Sequence, residues 1–340
     1  MSEPQQRPLM TFALFAYNQE TFIREAVEGA FAQTYEPLEI ILSDDCSTDR
    51  TFEIMQEMAL AYRGNHDVVL NRAPRNKGLL SHIIDTCKQA RGEIIVVAAG
   101  DDISYPQRVH TLVQEFEGDS STYCVSSGFD LMDENGAVIF GNHVTPVVRM
   151  KTFLHPGRGE SYTAIQGSTA GYRREFFSLG FPEVLLPCAE DQLFTFIAYV
   201  NRKRVKWIPI PLILYRQHQN ALANFNRIRM SAREVEVAVN RARVMTENLL
   251  VAMETVAERC LAPELVNKTE IEQELRGVRI CLRWGQLPTR KRLVQILRAM
   301  RVHQSSLMMW QLVRLWGRFP DYIPIKYLHP LPYLLRDKLR

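Results

Sequence analysis

Glu93-Ile94-Ile95-Val96-Val97-Ala98-Ala99-Gly100-Asp101-Asp102 is the stretch whose reading decides the fold. An apolar run without alternation predicts a strand of a parallel sheet, covered on both faces. A glycine and two carboxylates close the run, and open α/β sheets place their ligands beyond the carboxyl ends of such strands. Carboxylates at that edge, together with phosphates, form an oxygen-rich setting that suits a hydrated Mg²⁺ or Mn²⁺. Taken alone, an Asp-Asp pair is equally read as solvated loop carboxylates.

The residues before this stretch repeat one pattern. Thr11–Ala16 is a strand candidate followed by a helix over about 21–33, and Leu38–Ser43 is a second strand followed by a helix over about 48–62. Asp67–Asn71 reads as a third strand, and a helix over about 79–90 leads to the quoted one. Strands alternating with helices of about 10–15 residues predict βαβ units with right-handed crossovers. Further on, Asn135-Gly136 between apolar runs predicts a hairpin. The glycine-rich stretch Gln166–Gly171 precedes a helix near 173–179, and an apolar helix begins at Glu190-Asp191 and ends near Val200. Val205–Tyr215, interrupted by Pro209 and Pro211, reads as edge strands. Beyond Asn224 the pattern is helical and arginine-rich, which places a boundary near 225: one domain over 1–224 and a helical basic region over 225–340.

Several short motifs fall at the ends of these elements. Asp44-Asp45-Cys46-Ser47-Thr48-Asp49 follows the second strand. It reads either as a capping device, with Ser47 or Thr48 as cap, or as a nucleotide contact in which a carboxylate accepts an N–H of uracil, thymine or guanine. Ala16-Tyr17-Asn18 ends the first strand at the same edge, where Tyr17 either packs or lines a base pocket. Asn76-Lys77-Gly78 is a turn or a diphosphate contact. Glu190-Asp191 supplies favourable acids at a helix start or a general base for an incoming hydroxyl. Neighbouring helical residues point apart, so at most one of the two faces a reaction centre, and Asp191 is the preferred one. Arg216 and His218 follow a strand, and one of them could reach a diphosphate or metal.

In this order and spacing, over residues 8–220, the motifs resemble an inverting family-two glycosyltransferase of the GT-A fold. The resemblance implies transfer of a sugar from a nucleotide-diphospho-sugar donor to a hydroxyl acceptor, a saccharide or lipid-linked saccharide, in assembly of a cell-surface polysaccharide or glycolipid. It implies that Asp45 holds the base with Tyr17 lining its pocket, and that Ala16, Asn18, Asn76 and Gly78 belong to the nucleotide-sugar site. Asp101 would contact the ribose or donor sugar, Asp102 a divalent cation (Mn²⁺ or Mg²⁺), and Asp191 would be the base. His218 matches a position used in some members near the metal or diphosphate. Many members carry another acid where Ala99 stands; others have only the final pair. The alternative from another class is a catalytically silent sugar-nucleotide-binding or scaffolding protein on the same fold. A nucleotidyltransferase would want a glycine- and lysine/arginine-rich phosphate loop near the N-terminus, which is absent here.

Composition bounds the remaining classes. With 46% apolar and 23% charged residues, the chain has the make-up of a globular enzyme. Its six cysteines lack Cys-x-x-Cys spacing, which argues against structural zinc and for reduced thiols in the cytoplasm. No signal peptide and no run of about 18 apolar residues is present, so a transmembrane protein is not expected. The net charge of +3 conceals an asymmetry: residues 276–340 hold 14 Lys and Arg against Asp321 and Asp337. Aromatics from Trp310 to Tyr333 interleave with these basic residues. They either pack on the catalytic domain or lie on an anionic membrane surface, which would make the protein peripheral. No nucleic-acid module is present, so nucleic-acid binding is not expected.

Overall fold

The computed structural model describes residues 7–143, 163–183, 185–218, 232–269, 271–272 and 275–276. Four strands form its parallel half: β1 (Met10–Ala16), β2 (Leu38–Asp44), β3 (Asp67–Arg72) and β4 (Ile94–Ala99). Between them run α1 (Ile23–Phe31), α2 (Thr51–Ala61) and α3 (Leu79–Gln89). The strands line up as β3-β2-β1-β4, all parallel, as the βαβ pattern requires.

Alternate strand residues feed two cores. Phe12, Leu14, Ile40, Leu42, Val96 and Ala98 pack under α1 and α4 (Arg108–Phe116). Ala13, Phe15, Ile41, Ile95 and Val97 face α3, α5 (Glu190–Val200) and α6 (Ala232–Arg259). Apolar residues on both faces explain why β4 shows no alternation. The helices bury single stripes, as in Leu80, Ile83, Ile84 and Cys87 of α3 or Val109, Leu112, Val113 and Phe116 of α4. In α5 the whole run Leu193–Ala198 is buried, because α6 covers the side turned from the sheet.

Beyond β4 the sheet is mixed. β8 (Ala170–Arg173) lies antiparallel between β4 and β6 (Thr122–Met132), and β7 (Val138–His143) forms the expected hairpin with β6 around Asn135-Gly136. β9 (Arg204–Arg216) runs parallel to β6, and the two-residue β5 (Ile103–Ser104) closes the far side. Where edge strands were expected over 205–215, β9 is one continuous strand. Its prolines sit at a register shift between Ile208 and Pro211, and β5 pairs only with Ile213 and Leu214, so the prolines face no β5 partner. The helix expected near 173–179 is a 3₁₀ turn over Arg174–Ser178. The 224/225 division falls among residues 219–231, and the aromatic and basic stretch beyond 276 also lies outside the described residues. Of the described C-terminal residues, Leu249, Leu250, Met253, Val256, Ile271 and Leu275 share the core of α5.

Candidate active site

The parallel register brings three strand ends to one edge. Ala16 pairs with Asp44 and Phe15 with Ala99. The Asp45 amide donates to Ala16 O at 2.9 Å and the Gly100 amide to Phe15 O at 2.8 Å. Ala16-Tyr17-Asn18, Asp44-Asp45 and Gly100-Asp101-Asp102 therefore leave the sheet side by side. Gly100 is required there, since a Cβ would lie 2.6 Å from Gln19 Oε1 and 2.8 Å from the Ala16 Cβ. Tyr17 is 44% exposed and stands at the rim.

The loop after β2 is built from its own acids. Asp44 accepts the Ser47 amide and hydroxyl and lies 3.4 Å from Arg72 Nε. Ser47 Oγ accepts the Asn18 amide, while Asn18 Oδ1 accepts the Thr48 amide at 2.8 Å. Neither Ser47 nor Thr48 caps α2: the helix begins at Thr51, and Asp49 Oδ1 accepts the Thr51 amide at 3.0 Å. The Asx-type contacts have taken Ser47 and Thr48 for the loop.

Asp45, 4% exposed, clamps the loop after β3. Its Oδ1 accepts the Lys77 amide and its Oδ2 the Gly78 amide, each at 2.8 Å. Asn76 Oδ1 also accepts the Gly78 amide at 2.9 Å. Gly78 adopts φ 79°, ψ 152°, a region nearly closed to other residues.

Asp102 is buried. Its Oδ1 accepts the Arg216 amide at 2.9 Å, and its Oδ2 has no hydrogen-bond partner among the described residues. Burial, then the neighbouring Asp101 charge, pushes its pKa well up. Asp101 Oδ2 stands 3.0 Å from His218 Nε2, whose ring lies against Phe22 with centroids 4.7 Å apart. Of the two residues expected to offer a diphosphate contact, Arg216 is already engaged. Its guanidinium is buried and donates to Asp101 O, Glu134 O and Glu25 Oε2. It fastens β9 to α1 and to the β6–β7 turn, leaving His218 as the residue beside Asp101.

Glu190 and Asp191 open α5, both partly buried. Burial raises Asp191 to about 6; burial together with the Asp191 charge raises Glu190 to about 8. Gly167 makes room for Glu190, whose Oε1 lies 2.8 Å from where a Gly167 Cβ would stand. Asp191 Oδ1 accepts the Gln192 amide at 2.7 Å. Tyr215, on β9 just before Arg216, packs on Phe129 at 5.2 Å. Burial raises its phenol, and the charges of Asp102, Asp101, Glu190 and Asp191 each add to the rise. The phenol thus senses the charge of both acid pairs, that of Asp102 most strongly.

Two further residues hold this assembly, and the sequence reading gave them no role. Arg108, 1% exposed, donates to Val97 O at 2.6 Å, to Ser168 O at 2.7 Å and to Ser104 Oγ at 2.9 Å, joining β4 to the turn that seats Glu190. His82 stands behind Asp45. Neither has a signal beyond a polar residue on an amphipathic helix. A surface cavity of about 210 Å³, lined by Lys88, Arg174, Glu175, Phe177 and Ser178, lies at the opposite edge, where Arg174 bonds to Glu93 before β4.

Among the described residues no three His, Cys, Asp or Glu side chains form a metal cage. The partnerless, buried Asp102 Oδ2 nonetheless fits Mg²⁺ or Mn²⁺, which use one or two carboxylates and complete their shell with water and substrate phosphates.

A parallel half, continued by mixed strands that return to the acid edge, is the GT-A fold of sugar transferases. The fold is shared with S. aureus TarS in complex with UDP-GlcNAc, at TM-score 0.52 and 18% identity, covering 94% of this chain and 82% of that one. It is shared too with the mannosyltransferase PcManGT of Pyrobaculum calidifontis in complex with GDP-Man and Mn²⁺, at TM-score 0.54 and 16% identity, covering 92% and 85%. The chain belongs to glycosyl transferase family 2, whose model matches residues 11–180. It is 33% identical over 140 residues to chondroitin synthase of Escherichia coli, covering 41% of this chain and 20% of that protein. It is 30% identical over 223 residues to the uncharacterized glycosyltransferase EpsJ of Bacillus subtilis, covering 63% of each. The matched part is thus less than two thirds of these relatives.

Proposed function

We propose that the protein transfers a sugar from a nucleotide-diphospho-sugar to a hydroxyl of a saccharide or lipid-linked saccharide, with inversion. What carries this reading is the sheet register that brings Ala16-Tyr17-Asn18, Asp44-Asp45 and Gly100-Asp101-Asp102 to one edge, with His218 beside Asp101. Family membership supports sugar transfer, and the UDP-GlcNAc and GDP-Man bound to its structural neighbours support the donor class. The likeness to chondroitin synthase supports a saccharide acceptor and a role in polysaccharide assembly.

In this reading Asp45 accepts an N–H of the base beside Tyr17, with Ala16, Asn18, Asn76 and Gly78 shaping the nucleotide site, and Asp101 binds ribose or donor sugar. Asp102, with His218, would hold a divalent cation that offsets charge on the departing diphosphate. Inversion is one in-line displacement. The acceptor oxygen bonds to the anomeric carbon as the bond from that carbon to the diphosphate oxygen breaks, and the acceptor proton passes to Asp191. A carboxyl raised to about 6 is ionised at neutral pH yet a stronger base than a solvated one. Glu190, raised further, is largely protonated and leaves that role to Asp191. No helix among the described residues is long and apolar enough to cross a membrane. The 14 basic residues of 276–340 support peripheral attachment to an anionic membrane on the cytoplasmic side.

The test is thermal stabilisation by UDP-, GDP- and dTDP-sugars with and without Mn²⁺. One donor class should raise Tm, more so with the metal, because a ligand specific for the folded state stabilises it by mass action. No shift with any donor would contradict the reading.

A further inference from the structure

His82 belongs to none of the roles above. It projects from the apolar stripe of α3, 2% exposed, with its ring edge-on to Phe15 at 5.5 Å. Its Nε2 lies 2.9 Å from Ser43 Oγ, and its Nδ1 lies 3.7 Å from Asp45 Oδ1. Ser43 Oγ accepts from Asn71 Nδ2 at 2.9 Å and stands 3.1 Å from Thr86 Oγ1. Serine, histidine and aspartate in a row have the order of a nucleophile relay, but Ser43 has no exposed surface, so no substrate can reach its oxygen. The row ends instead at Asp45.

The hydrogen bonds of Asp45 divide its two oxygens. Oδ1 takes the Lys77 amide and faces His82, whereas Oδ2 takes only the Gly78 amide. A carboxylate has about four lone-pair sites, so the unused capacity lies mainly on Oδ2. The charged groups facing the His82 ring are Asp45 and Asp44 from the end of β2 and Lys77 from the loop before α3. Burial holds the ring below its ordinary pKa against the pull of both aspartates, so at neutral pH it is uncharged.

We propose that His82 is a positioning residue of the nucleobase pocket: uncharged, its ring closes off the Oδ1 side of Asp45 at 3.7 Å without drawing the carboxylate from the Lys77 and Gly78 amides, and leaves Oδ2 to accept a base N–H. This rests on the base-binding reading of Asp45 given under Proposed function. Protonated, the ring would put a positive charge 3.7 Å from Oδ1. That charge would draw the carboxylate toward α3 and weaken it as an acceptor. Lys77 opposes protonation, and the aspartates favour it. The pocket therefore prefers bases that donate an N–H, and loses that preference on acidification.

Calorimetric titration of the full chain at constant Mn²⁺, from about pH 7.5 to about pH 5.5, tests the inference with UDP, GDP and inorganic pyrophosphate as probes. Pyrophosphate carries the anionic chemistry without a base, so its pH dependence reports the diphosphate alone. Whichever nucleotide binds should lose more affinity than pyrophosphate, by up to about tenfold for a one-unit displacement of one pKa. His82→Gln cannot protonate and should abolish the excess. Equal losses for nucleotide and pyrophosphate in the wild type would overturn the role of His82 while leaving the Asp45 reading intact, and that comparison needs no variant to fold. An undiminished excess in His82→Gln would overturn it as well. Failure of UDP, GDP and, titrated in the same way, dTDP to bind better than pyrophosphate at about pH 7.5 would overturn the base pocket and this inference together.

Discussion

Glu190 shows how one residue's surroundings set its chemistry. Its pKa of about 8 lies above the ordinary carboxylate value because burial and the Asp191 charge both oppose ionisation. The folded state then holds this proton at pH values where the unfolded chain has released it. Stability from Glu190 is therefore complete below its ordinary value near 4.5 and is lost as pH rises through about 8. Glu190→Gln should raise Tm at about pH 8 and change it little at about pH 4.5, as thermal melts at both would read. Equal shifts at the two pH values would contradict the assignment. Asp102 is likewise pushed upward, by burial and then by the Asp101 charge.

At the scale of elements, the strand ends depend on two glycines for different reasons. Gly100 lacks room: an added Cβ meets Gln19, Ala16 and Ile23 within 2.6–3.0 Å, so Gly100→Ala should cost about 1–3 kcal/mol as an overpacked core does. Gly78 has open space around it but a backbone at φ 79°, ψ 152°, so Gly78→Ala should cost about 1–3 kcal/mol through strain alone. Denaturant melts measure both losses. Only Gly78→Ala should also weaken nucleotide binding, since it disturbs the amide that Asp45 holds. The parallel half was legible because β1, β2 and β4 are buried on both faces and their helices carry single stripes. β5 and β8 were not: two and four residues long, they exist through pairing with β9, β4 and β6 rather than through any pattern of their own. The cap of α2 was misplaced because Ser47 and Thr48 are equally good loop formers. At the site, acids at strand ends announce themselves. Arg108 and His82 do not, because a buried polar residue on a helix is defined by partners far away in the chain.

At the scale of the molecule, function depends on segments distant in sequence meeting across the sheet. The return of β9 beside β6 brings Tyr215, Arg216 and His218 back to the aspartates of β4. The basic excess of residues 276–340 supplies a second, longer-range property. Near an anionic surface each basic residue contributes about 1 kcal/mol, so the full chain should pellet with phosphatidylserine vesicles in low salt and be released at high salt. Equal recovery in the supernatant with and without vesicles would contradict membrane attachment. The central claim is that the N-terminus of α5 supplies the base for chemistry prepared at the end of β4. Steady-state turnover and donor affinity of Asp191→Asn test it most directly. The account predicts a fall in kcat of about 10²–10⁴-fold with donor affinity nearly unchanged; turnover equal to that of the wild type would contradict it.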